Sequence, residues 1–218
     1  MARQGAGRGG GTLRVGICGP VGAGKTSLIA GLCGALGTEL SLAVLMNDPD
    51  VQAEEPLLTH QGLDARRIAA VRTGCSPQAA IRDDIRANAA AAETLESLFA
   101  PLDLLLVEAG GADLGANFSR ALIDRQIFVL DAAAGDRTVR KGGPGVTQAD
   151  LLLVNKTDLA AAARADLERM RRDAAARRGE SPTVFVSLAE HPGAPAVADW
   201  VRKLMAQRRL TATGQERR

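Results

Sequence analysis

Tyrosine is absent from the 218 residues, tryptophan occurs once (Trp200), and aromatics make up only 2% of the chain. So few rings leave little for bases to stack on, which argues against a single-strand or RNA binder. Neither sign of charge dominates: 27 Lys and Arg face 25 Asp and Glu, a net +2. Bulk attraction to nucleic acid or to an anionic membrane is therefore not expected. No apolar run approaches the roughly 20 residues of a membrane span. Cysteine is limited to Cys18, Cys33 and Cys75, an odd and scattered set. The start, MARQGAGRGGG, has no apolar leader, so a disulfide framework is not expected and a reducing cytoplasm is. Histidine is limited to His60 and His191, with no histidine-rich tract.

What remains is ordinary globular material, 46% hydrophobic and 24% charged, enough for one sizeable core. Residues 1–11 read as a glycine-rich tail, 12–208 as a single domain and 209–218 as a C-terminal tail. Within the domain, short apolar runs alternate with helical patterns. Strands are expected at 12–18, 40–46, 68–72, 102–108, 126–131, 150–155 and 183–187. Helices are expected at 25–36, 165–178 and 194–207, and another over 77–98 with Ser76 as N-cap and Pro77 at its first position. Strands alternating with helices mean an α/β fold, a mostly parallel sheet with helices on both faces. In such sheets ligands sit beyond the carboxyl ends of the strands.

The chemistry-bearing motifs fall at such ends. Gly19-Pro20-Val21-Gly22-Ala23-Gly24-Lys25-Thr26 fits GxxxxGK[ST] in full, between an expected strand and an expected helix, with Ser27 following. Backbone N–H groups of such a loop turn inward on phosphate oxygens, and the helix N-terminus adds its positive end. Lys25 would reach the β- and γ-phosphates and the Thr26 hydroxyl would ligate Mg²⁺. By contrast, Gly5 to Gly10 formally matches GxGxxG, yet no strand precedes it, so it is not a dinucleotide site.

Asn155-Lys156-Thr157-Asp158 ends the apolar run DLLLV and matches NKxD, the guanine-specificity motif of G proteins. The Asp158 carboxylate can accept from guanine N1–H and its 2-amino group. Adenine lacks both donors, so it would leave a charge unpaired. Asn155 is expected to brace the loop and the base edge, and the Lys156 stem to pack over the ring. The plain alternative is that Asp158 caps a helix over LAAAARADL. Glu108, at the tip of LLLVE, and Asp48, after the second strand, are candidates to hold Mg²⁺ through water or to orient the attacking water; strand-end capping is the alternative for each. Arg140 to Gly145, RKGGPG, reads as a mobile basic loop, a switch, a dimer contact or a plain linker.

Together, GPVGAGKTSL, the ND step, TGCSPQAAIRDD, VEAGGADLGANFS and RKGGPGVTQADLLLVNKTDLA resemble the urease accessory GTPases of the UreG family, in family order over about residues 13–206. The hydrogenase nickel-insertion GTPases are the related group. The resemblance implies a SIMIBI-class P-loop fold, GTP and Mg²⁺ as cofactors and slow, partner-activated GTP hydrolysis. It further implies a GTP-dependent homodimer that works with other urease accessory proteins and the urease apoprotein in delivering nickel. Two stretches depart from the family: NDPDVQAEEPLL lacks the usual DIYTKEDAEFL and its lysine, and residues 72–78 differ as well. Against its usual ETGGCPHTAIRED, Arg72 replaces the glutamate, Cys75 the second glycine, Ser76 the cysteine and Gln78 the histidine. Ser-Pro-Gln offers neither thiolate nor imidazole at those places. Cys75, one residue early, reads first as a buried packing cysteine, with a displaced nickel ligand and a redox or nucleophilic role as the alternatives; Cys18 and Cys33 read as core. The alternatives to nickel insertion into urease are a GTP-dependent clamp that binds no metal and a metallochaperone for another metalloenzyme, of hydrogenase type.

Overall fold

The computed structural model describes residues 11–47, 51–72, 77–111 and 113–215. Asp48, Cys75 and Ser76 therefore lie outside the described residues. The elements run β1 (Leu13–Cys18), α1 (Lys25–Leu36), β2 (Leu42–Met46), α2 (Val51–His60), β3 (Ile68–Ala70), α3 (Pro77–Arg82), α4 (Arg86–Leu98) and β4 (Leu104–Glu108). They continue with β5 (Arg125–Asp131), α5 (Arg137–Lys141), α6 (Pro144–Gln148), β6 (Leu151–Asn155), α7 (Leu167–Arg178), β7 (Thr183–Phe185) and α8 (Pro195–Gln215).

The seven strands form one sheet in the order β3-β2-β4-β1-β5-β6-β7, every pairing parallel. This is the α/β P-loop NTPase fold. Strand alternation explains why both faces are covered. Val15, Ile17, Val44, Leu106, Val129 and Leu153 point into a core shared with α1 and α8. Their neighbours Leu45, Leu105, Val107, Phe128, Leu130 and Leu152 point into a second core with α4 and α7. The one large charged side chain on β1, Arg14, is 1% exposed. It forms two hydrogen bonds of 2.7 Å to the Glu96 carboxylate of α4, and this bidentate pairing makes its burial tolerable.

Three expectations need correction. The helix foreseen over 77–98 is two helices. The N–H groups of Asp83 and Asp84 both turn back to Ala79 O at 2.8 Å, and the buried Asn88 amide donates to Ala80 O, so side-chain capture and a tight turn end the first helix. The basic stretch Arg140–Gly145 is not a free loop. It spans the end of α5 and the start of α6, pinned where Gly145 N donates to Leu114 O and Arg177 to Arg140 O. The buried Arg178 guanidinium ties α6 further, donating to the carbonyls of Val146 and Ala149 and also to Pro182 O. At the C-terminus, α8 continues to Gln215, past the helix end expected at 207. Lastly, α2 was not foreseen; Pro56 inside it hides its helical pattern.

Candidate functional site

The strand order decides what meets what. β1 lies between β4 and β5, with β6 one strand further out. The carboxyl ends of these four strands therefore put Glu108, the glycine loop, Asp131 and Asn155 along one edge. The register matches: Ile17 lies opposite Glu108, and Asp131 opposite Asn155.

Residues 19–24 leave β1 and turn into α1, which begins at Lys25. Gly24 has φ 101°, and a Cβ there would run into the Asn155 side-chain amide, so both conformation and space demand glycine. Lys25 is 8% exposed, and its Nζ donates to Pro20 O at 3.2 Å, folded across the loop. The Thr26 hydroxyl donates to Glu108 Oε1 at 3.0 Å, and Glu108 is 4% exposed. Val21, Gly22, Gly24, Lys25, Thr26, Ser27, Glu108 and Gly111 line a cleft of about 330 Å³. The sequence-expected phosphate residues and Glu108 are thus brought together. Hydroxyl and carboxylate oxygens side by side form a hard donor set that fits Mg²⁺.

The NKTD segment reaches this cleft through Asn155. Its Nδ2 donates to Ala23 O at 2.9 Å, and its Oδ1 accepts from Leu188 N at 3.0 Å. At 3% exposed and engaged at both ends of its amide, Asn155 braces the phosphate loop against the segment after β7 rather than facing a base edge. Lys156 takes a left-handed conformation, φ 61°, and its Nζ pairs with Asp131 Oδ2 at 2.8 Å. Thr157–Leu159 form a 3-10 turn in which the Asp158 carboxylate is exposed. The next α-helix starts only at Leu167, capped by Asp166, whose carboxylate accepts from Arg169 N. The helix-cap alternative for Asp158 is therefore not what this segment uses.

Three contributors went unforeseen. Asp131 carried the same signal as Glu108, a carboxylate ending an apolar run. Asn47, fully buried, donates its amide to Glu108 O at 2.9 Å and ties the ends of β2 and β4 together. Leu188 contributes a main-chain N–H, which no side-chain motif advertises. A larger cavity, about 510 Å³, lies at the opposite ends of the strands. Its cation Arg67 is already used on Ser41 Oγ and Leu42 O, so it offers no comparable chemistry.

Cys18 and Cys33 are buried and free. Burial pushes the Cys33 thiol up to about 12 and raises that of Cys18 further, the Lys25 charge opposing only in part. Both are core thiols, neither nucleophiles nor ready metal ligands. Gln78 lies half-buried on α3. Among the described residues no group of three or more His, Cys, Asp or Glu side chains could hold a metal ion. Nor is any described helix long and apolar enough to cross a membrane.

A parallel sheet with a phosphate loop after its first strand, and the segment after β6 braced against that loop, defines a P-loop nucleotide-binding protein. A family profile described as CobW/HypB/UreG, nucleotide-binding domain, matches residues 13–185, and the chain belongs to that family. The urease accessory protein UreG of Streptomyces coelicolor is 56% identical over 195 residues, covering 89% of this chain and 87% of that protein. The protein of the same name from Mycobacterium tuberculosis strain H37Rv shows the same identity and coverage. Among solved structures, HypB from Archaeoglobus fulgidus superposes with TM-score 0.71 at 24% identity, covering 89% of this chain and 90% of that one. HypB from Helicobacter pylori in complex with nickel gives 0.72 at 17%, covering 90% and 88%. At those identities the HypB structures speak for the fold alone.

Proposed function

We propose that this protein is a urease accessory GTPase that binds GTP with Mg²⁺, hydrolyses it slowly, and assists delivery of nickel, its cargo, to the urease active site. The observation that carries the reading is the hydrogen bond from Asn155 Nδ2 to Ala23 O, 2.9 Å. It holds the NKTD loop directly against the phosphate cradle, which supports a single guanine nucleotide spanning both. The names of the relatives at 53–56% identity support the urease pathway over a hydrogenase one. They equally weigh against a clamp with no part in metal delivery.

In this reading residues 12–208 act as one GTPase domain in the cytoplasm. The N–H groups of residues 21–25 donate to phosphate oxygens, and Lys25 leaves Pro20 O for the β- and γ-phosphates. Thr26 and Glu108 are the residues that would hold Mg²⁺, Glu108 through water, and the ion would supply charge neutralisation to the phosphates. Asp48 is the further candidate for orienting the attacking water. Asp158 selects guanine by accepting from N1–H and the 2-amino group. Slow turnover calls for activation by partners, and the family reading supplies them as other urease accessory proteins, the urease apoprotein and a second copy of this chain. Nickel would be handled where the family carries Cys-Pro-His; here the thiol of Cys75 is the ligand available.

The test is Asp158→Asn. An amide donates where the carboxylate accepted, so preference shifts from guanine to xanthine nucleotides, read by calorimetry with GDP and XDP. Unchanged GDP affinity in that variant would remove the base assignment. Lys25→Ala should abolish nucleotide binding.

A further inference from the structure

Asp131 ends β5, one strand away from the phosphate loop on one side and beside Asn155 on the other. Both of its carboxylate oxygens are engaged. Oδ1 accepts from Ala133 N at 2.7 Å and caps the 3-10 turn over residues 132–134. Oδ2 accepts from Lys156 Nζ at 2.8 Å. The pair is mostly shielded, with side chains 21% and 32% exposed. Lys156 needs an anchor, because it stands at a left-handed backbone position that an L-residue with a long side chain rarely adopts. Its main chain is fixed by the flanking bonds Leu159 N to Lys156 O and Thr157 N to Val186 O. Its four-carbon stem is rotamer-rich and would sample many directions if the ammonium were free.

We propose that Asp131 is a positioning residue for the purine: by holding Lys156 Nζ it keeps the lysine stem in place as one wall of the base site before nucleotide arrives. This rests on the guanine-nucleotide reading above and names what makes the base half of that site rigid. A wall already ordered costs the incoming ligand no side-chain entropy, so the effect falls on base affinity and not on phosphate capture. It acts equally on di- and triphosphate, because the base contact is the same in both.

The experiment measures GDP, GTP, ADP and inorganic tripolyphosphate binding by calorimetry for wild type, Asp131→Asn, Lys156→Met and the double variant. Asn keeps a carbonyl oxygen for Ala133 N and puts an NH2 donor where Lys156 had a charged acceptor. GDP and GTP affinities should fall by the same factor, about fivefold, equivalent to about 1 kcal/mol. Tripolyphosphate affinity, which reports the phosphate loop alone, should not change. In the Lys156→Met background the Asp131 substitution should add nothing. Lys156→Met removes the same pair from the other side, so the expectation stands on that variant if Asp131→Asn does not fold. Unaltered GDP affinity, additive losses, or equal losses for GDP and tripolyphosphate would each overturn the role of Asp131. A wild-type protein that binds GDP no better than ADP would instead sink the guanine reading itself.

Discussion

Asn155→Ala tests the joint on which the site depends. The substitution removes two hydrogen bonds, to Ala23 O at 2.9 Å and from Leu188 N at 3.0 Å, at a side chain 3% exposed. A buried bond contributes about 0.5–1.5 kcal/mol net, and a buried donor left stranded costs about 1–3 kcal/mol. Leu188 N–H becomes such a donor. One lost bond plus one stranded amide, softened by water entering the space, comes to about 2–4 kcal/mol. For a slope of about 2 kcal/mol/M in urea, that moves the unfolding midpoint down by about 1–2 M. The assay is urea unfolding followed by circular dichroism, with GDP calorimetry on the same samples. GDP affinity should fall in parallel, because the phosphate loop loses its outside brace. A variant with the midpoint and GDP affinity of the parent would refute the idea that this amide couples the two loops.

Further outcomes follow from the same geometry. Gly24→Ala combines a φ of 101° with a collision against the Asn155 amide; it should cost about 1–3 kcal/mol and abolish nucleotide binding, checked by urea titration and calorimetry. Arg178→Ala strands the carbonyls of Val146 and Ala149, while Pro182 O keeps its bond from Leu152 N. It should destabilise by about 2–4 kcal/mol and raise hydrogen exchange in α6, while GDP-over-ADP preference stays unchanged. The Cys33 thiol ionises near 9 when unfolded and near 12 when folded. Between those values the unfolded chain gives up a proton that the folded one keeps. That contribution to stability is complete below pH 9 and is lost as pH rises toward 12, at about 1.4 kcal/mol per pH unit. Urea midpoints at pH 8 and pH 10 should therefore fall further in wild type than in Cys33→Ala, and parallel falls would contradict the burial argument.

How much of this was legible beforehand divides along a physical line. The amino-acid sequence alone determined what is encoded locally: the glycine spacing and Lys25-Thr26 of the phosphate loop, the apolar runs that become buried strands, and Asp158 three residues beyond a strand-ending Asn155. These signals depend on a few consecutive residues, whose backbone freedom, size and polarity constrain one another directly. Only the tertiary structure decided which strand ends are neighbours. Asn155 meets Ala23 across 132 residues, Lys156 meets Asp131 across 25, and Asn47 reaches Glu108 across 61. It also decided that RKGGPG is pinned between two short helices and that the helix over 77–98 breaks at Asp83 and Asp84. Those outcomes turn on polar groups whose partners come from distant strands or from competition within a turn. Periodicity records how a segment faces the core, and it carries no information about which remote atom satisfies a buried amide.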